Sequence, residues 1–178
     1  VTKNQKAFLD MIAWAEGTWS IGKNDGYDVI VTSTVEHPVL FTDFSTHPRR
    51  EMDVKNAHGI LVCRSDAAGR YQLMGRYFEP YKALCHTYPD CGRPAELQRQ
   101  PGFYPPCQDC YALQQIKECR ALPDIEAALI AQAIAKCAHI WASFPGANYK
   151  GQGGGRDLAH MLATFGAALH DVEQAEGA

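Results

Sequence analysis

The chain has 178 residues, 46% of them hydrophobic, which is enough to bury a core of its own in a single domain. With 17 basic and 20 acidic residues its formal net charge is -3, so no field of one sign recruits nucleic acid or an anionic membrane surface. The most apolar window, 125–144, carries Glu126, Gln132, Lys136 and His139 and reads as a buried amphipathic helix rather than a membrane span.

The chain begins at Val1 rather than Met, from which upstream trimming is expected. Asn4 is a good cap for a helix over about 5–16, whose apolar positions Phe8, Leu9, Ile12 and Ala15 keep helical spacing, and Gly17 suits its stop. The β-branched stretch YDVIVTSTV at 27–35 and VLFTDF at 39–44 predict a small hairpin or sheet. From 49 to 64 the pattern weakens around Ile60, Leu61 and Val62. Helical spacing resumes over 70–84, interrupted by Pro80. The stretch 86–109 holds five prolines and reads as a loop in need of covalent or metal staples. Helices are expected at about 110–121 and 124–143 and, after a glycine-rich turn at 151–155, at 157–175. No internal repeat or domain-dividing linker is visible, so the expected class is α+β, mostly helical with one small β element.

Seven cysteines occur, and Cys63, Cys85, Cys91, Cys107, Cys110 and Cys119 all fall in one loop-rich region. Either disulfides or a metal would organise such a cluster. Cys107 and Cys110 have the short spacing of a zinc knuckle, but five residues separate Cys85 from Cys91, outside the usual two to four, which favours disulfides among these six. The odd count leaves a thiol over. Cys137, on the apolar stripe Ile130, Ile134, Cys137 and Trp141, is its natural candidate and reads as a small core residue.

The segment AWAEGT at 13–18 puts Glu16 in the last turn of an apolar helix, where unpaired carbonyls disfavour a negative charge. Trp14 and Trp19 nearby would exclude water and raise its pKa further. A carboxyl kept protonated near neutrality is what a general acid needs in order to protonate a glycosidic oxygen. Position alone favours a solvated glutamate at a helix end. SDAAGRYQL at 65–73 joins small residues to Arg70, Tyr71 and Gln72, a group able to let a sugar approach backbone and then bind it. In YALQQI, Gln114 and Gln115 must point to different helix faces, so one of them can reach a cleft. Each of these is weak alone, since a loop entering a helix and a polar helix face look alike.

In order along the chain, KAFLDMIAWAEGT, GYDVIV, LFTDFSTHPR, AGRYQL, ALQQIKE, ALPDI and IWASFPGANY resemble the lambda-type endolysins of bacteriophages, over most of residues 6–152. The resemblance implies a lysozyme-like fold and a lytic transglycosylase that cleaves the MurNAc–GlcNAc β-1,4 bond of peptidoglycan without water, leaving 1,6-anhydromuramic acid ends. It implies glycan strands as partner and a monomeric protein made in the host cytoplasm and acting in the periplasm, with no metal or organic cofactor. It assigns Glu16 as the catalytic acid and base, and Tyr71, Gln72, Gln114, Tyr149 and Asp43 as sugar contacts. For Tyr71 and Tyr149 a core role, and for Asp43 a turn hydrogen bond, stand beside that assignment.

A hydrolytic muramidase would need a second carboxylate, and Asp25, Asp28 and Asp43 are the candidates. A noncatalytic module organised by the cysteines is the more distant alternative. Compared with the family pattern the chain is longer between YDVIV and LFTDF, around 52–64 and around 86–108. These expansions hold or border six of the seven cysteines and suggest a stapled flap at about 85–110. GQGGGR at 151–156 lacks the Lys-Ser/Thr ending of a phosphate loop and reads as a flexible turn.

Overall fold

The computed structural model describes residues 1–82, 102–147 and 156–177. Tyr149, Cys85, Cys91, the glycine-rich turn and most of the expected flap lie outside the described residues. The chain falls into two compact units, one made of 1–16 with 113–178 and the other of 17–112.

In the first unit, α1 (Lys3–Glu16) starts earlier than Asn4 suggested. Thr2 is the cap: its Oγ1 accepts the Gln5 N–H at 3.2 Å while Gln5 Oε1 accepts the Thr2 N–H at 3.3 Å, a reciprocal capping box. Asn4 instead donates its side-chain amide to the carbonyls of Ile125 and Glu126, fastening α1 to α4 (Leu122–Glu126). Gly17 ends α1 at φ +75°, the left-handed stop a glycine adopts without strain. Ala7, Phe8, Met11, Ile12 and Ala15 are buried, and α6 (Leu158–Gly177) packs along α1 through Met161, Phe165 and Val172.

The single helix expected over 124–143 is two. After α4 the chain turns through Ala128 at φ +57° and restarts as α5 (Ile130–Cys137). The turn is held by the Leu129 N–H on the Asp124 carbonyl at 2.8 Å, which no breaker residue announces. Asp124 also takes an ion pair from Lys136 across it. Ile130, Ala133, Ile134 and Cys137 form the buried stripe, continued by Trp141 and Phe144, and the Phe144 ring meets Phe8 edge to face.

In the second unit the two-stranded sheet lies where the pattern was weakest. β1 (Met52–Lys55) and β2 (Leu61–Ser65) pair antiparallel, with a bulge between Val54 and Lys55. The Asn56 side chain accepts the N–H groups of His58 and Ile60, and Gly59 at φ +76° completes the turn. The expected hairpin of 27–35 with 39–44 is reduced to a bridge between Val29 and Leu40, flanked by the hydrogen bonds Ile30 N–H to Val39 O and Phe41 N–H to Asp28 O. Thr32 at φ +73° ends the run before a ladder can form.

Residues 69–73 form a tight turn rather than the start of a helix, and α2 covers only Gly75–Lys82 with Pro80 inside it. α3 (Pro105–Glu118) begins inside the stretch read as loop, because two prolines at its first positions lack only N–H groups that a helix start leaves unused. Phe41, Phe44, His47, Phe78, Phe103 and Tyr111 build the aromatic core here. Buried His47 sits among them, its Nε2 2.9 Å from the Leu73 carbonyl and its Nδ1 accepting the Arg49 N–H. Burial holds its pKa below the ordinary range. Among the described residues no helix is long and apolar enough to cross a membrane.

Candidate active site

Glu16 is the last residue of α1, half-buried, and its Oε1 accepts the Ser143 hydroxyl at 2.6 Å. The Ser143 backbone N–H also bonds the carboxyl. Arg156 supports both partners: its N–H donates to the Ser143 carbonyl at 2.6 Å, its Nε to the Ala15 carbonyl at 3.1 Å, and its guanidinium lies 5.2 Å from the centre of the Trp14 ring. One of the open carbonyls at the end of α1 is thereby satisfied and a positive charge brought near Glu16.

Burial dominates the electrostatics. It pushes the Glu16 carboxyl up to about 7 against the opposing pull of the Ser143 hydrogen bonds and the Arg156 charge. The direction is the one expected from sequence, although Trp19, assigned a share in it, is 56% exposed. A carboxyl of this kind can both give and take a proton near neutrality. Sequence reasoning missed Ser143 and Arg156. Ser143 stands inside IWASFPGANY, where the eye goes to the aromatic residues, and Arg156 closes a stretch read only as a turn.

The remaining predicted residues are used differently. Tyr71 is 1% exposed and donates its hydroxyl to Asp109 Oδ1 at 2.7 Å; Tyr27 donates to the same oxygen at 2.8 Å. Tyr71 thus fills the core role that stood beside sugar contact in the sequence reading. Gln72 sits at φ +50° with its amide on the Gly69 carbonyl. Gly69 does leave room for a close approach, but the occupant is Gln108, whose Oε1 would lie 2.1 Å from an added Cβ. Gln108 is fully buried and ties together the Arg70 N–H and the Tyr27 and Phe103 carbonyls.

Gln114 is half-buried and donates to Glu118 one turn on. Asp43 accepts the Ser45 N–H at 2.8 Å in an exposed turn, and the Ser45 side chain, followed by that N–H, holds its pKa below the ordinary value. Asp28 is buried and accepts Asn24 at 2.6 Å, and Asp25 holds φ +49° with its carbonyl bonded by Arg70. No disulfide joins two of the described cysteines, and among the described residues no group of three or more His, Cys, Asp or Glu is arranged to hold a metal ion.

Comparison with known proteins places this geometry. The chain is 42% identical to the endolysin of Escherichia phage lambda over 155 residues, which cover 84% of this chain and 82% of that protein. It is 41% identical to the endolysin of Escherichia phage P2 over 152 residues, covering 83% and 82% respectively. Among solved structures, bacteriophage lambda lysozyme complexed with a chitohexasaccharide superposes with a TM-score of 0.75 at 40% identity, covering 94% of this chain and 95% of that one. A second structure of lysozyme from bacteriophage lambda gives 0.69 at 37% identity, covering 97% and 95%. Both are lysozyme-like α+β structures, the class of this fold. The family model named Endolysin matches residues 6–172, and with relatives this similar along the chain's length, the chain belongs to the endolysin family.

Proposed function

We propose that this endolysin is a lytic transglycosylase in which Glu16 serves as both acid and base on a peptidoglycan glycan strand, residues 1–178 acting as one catalytic domain with an insertion at about 85–110. The observation that carries the reading is a single half-buried carboxyl, pushed up to about 7 and held by Ser143. Protonated, Glu16 gives its proton to the glycosidic oxygen as the muramoyl C1 gains oxocarbenium character. As carboxylate, it takes the proton of the C6 hydroxyl, which closes on C1. The nucleophile comes from the substrate, so no second carboxylate is required to place water.

The chitohexasaccharide held by lambda lysozyme supports a β-1,4-linked amino-sugar strand as substrate. Asp43 is bonded by Ser45 and one oxygen of Asp28 by Asn24, and the proposed mechanism uses neither. Tyr71, Gln72, Gln114 and Asp43 are the proposed sugar contacts among the described residues, together with Tyr149 beyond them. The proposed place of action is the host periplasm. Mass spectrometry of digested peptidoglycan tests the reaction: muramic acid ends lighter by one water than hydrolysed ends are expected, and fully hydrated ends would make the enzyme a muramidase.

A further inference from the structure

Three hydrogen bonds close a circuit around Glu16. The Ser143 hydroxyl donates to Glu16 Oε1 at 2.6 Å, and the Arg156 N–H donates to the Ser143 carbonyl at 2.6 Å. Arg156 Nε then returns to the carbonyl of Ala15, the residue before Glu16, at 3.1 Å. The Arg156 guanidinium also lies 5.2 Å from the centre of the half-buried Trp14 ring, within the range of a cation–π contact. Two residues after Arg156 the helix α6 begins, and its packing along α1 anchors the arm at its base.

From this circuit, and resting on the reading of Glu16 as acid and base, we infer that Arg156 is a positioning residue of the reaction: it ties Ser143 to the end of α1 and so keeps the serine hydroxyl on the Glu16 carboxyl. The described hydrogen bonds of Arg156 end on carbonyls of the protein itself, so it acts through Ser143 and Ala15 and not on the sugar.

The side chain acts by charge and by bonding. Its charge lowers the Glu16 pKa, and among the described residues it is the one charge that does so. Arg156 is exposed, however, and water and salt screen a charge held at the surface. A hydrogen bond from a charged donor is short-ranged and strong, so the bond to Ala15 carries the role more than the charge. The backbone N–H stays in every variant, which leaves the side-chain arm as the part that a substitution removes. Without that arm Ser143 remains fastened to residue 156 but not to α1. Its hydroxyl then leaves Glu16 for part of the time, and the carboxyl holds its proton to higher pH.

The test titrates Glu16 by NMR in protein labelled with ¹³C at the glutamate carboxyl, which reads the site whatever reaction it performs. Arg156→Met keeps an unbranched stem and removes the donors and the charge. Its Glu16 should titrate above about 7, and kcat on peptidoglycan should fall roughly three- to tenfold with KM held within about twofold. Arg156→Lys keeps the charge but has neither the Nε donor nor a planar face for Trp14, and should recover less than about half of that loss. Both variants should fold, because the replaced side chain is exposed. An unmoved Glu16 titration in Arg156→Met, full recovery in Arg156→Lys, or a loss carried by KM would each overturn the proposal. Glu16→Gln separates the two levels. If it keeps its turnover the acid and base reading fails, while the Glu16 titration in Arg156→Met still decides whether Arg156 holds Ser143 on the carboxyl.

Discussion

The two units each contain a carboxylate that receives hydroxyl hydrogen bonds, and the two are put to opposite uses. In the second unit, two phenols converge on Asp109 Oδ1 at 2.8 and 2.7 Å. Both tyrosines are driven above their ordinary pKa, first by burial and then by the Asp109 charge, so the hydroxyls stay as donors. Asp109 Oδ1 thereby joins two phenols and works as a structural knot. In the first unit, Glu16 receives a serine hydroxyl and a backbone N–H, and burial outweighs both. At Glu16 burial and donors oppose one another and burial prevails, whereas at Asp109 the carboxylate is used to hold two phenols in place.

The largest effect should come from Glu16→Gln. The amide keeps an oxygen for Ser143 and so preserves the fold, but it cannot transfer a proton. Turnover on peptidoglycan should fall by about 10²- to 10⁴-fold, measured by release of soluble glycan. Retention of more than about a tenth of activity would erase the contrast with Asp109. The same variant tests the electrostatics. The folded protein binds the Glu16 proton up to about 7, whereas the unfolded chain releases it near 4.5. Glu16 therefore makes stability fall as pH rises through that window, by up to about 3 kcal/mol. Glu16→Gln should remove this slope in denaturation curves.

Next in size is Asp109→Ala, which strands the phenols of buried Tyr71 and half-buried Tyr27. We expect a loss of about 2–4 kcal/mol in denaturant unfolding, with the pH profile of any residual activity unaltered. A shifted profile would mean that Asp109 also serves the chemistry. Ser143→Ala removes a donor that lowers the Glu16 pKa, so the alkaline limb of kcat against pH should move above about 7 and activity should drop roughly tenfold. An unmoved limb would show that Ser143 does not tune the carboxyl. The smallest effect is expected for Gln114→Ala. The exposed pair with Glu118 is worth about 0.3–0.5 kcal/mol, so stability should hardly change while KM rises a few-fold if the amide meets sugar.

How legible these parts were in the sequence follows from the kind of signal each carries. Glu16 was visible because a charged residue in an apolar helix end breaks a local pattern. Ser143 was not, since a serine is bland in its own segment and the contact spans 127 positions. The helices α1 and α6 follow their periodicity. The break at Ala128 lies in an alanine-rich stretch with no glycine or proline, and it is closed by local backbone hydrogen bonds such as Leu129 N–H to the Asp124 carbonyl. Pro105 and Pro106 were read as loop formers although the same ring geometry begins α3. The β-branched run at 27–35 is buried only at Asp28, Val29 and Ile30 and forms no continuous ladder. The true ribbon has no buried residue on either strand: Met52, Asp53, Val54 and Lys55 do alternate, but over four residues only, and Leu61–Ser65 does not continue the pattern.

That exposed ribbon has a consequence for behaviour at high concentration. A sheet of two strands has no interior strand, so β1 and β2 both turn outward a row of backbone groups on which a neighbouring chain can add. Asp53 and Arg64 face each other across the pair at 3.1 Å, Lys55 adds a further charge, and the bulge after Val54 breaks the regular spacing along the edge. Any incoming strand must desolvate these charges and match an irregular template. The charges and the bulge of this ribbon therefore oppose edge-to-edge aggregation.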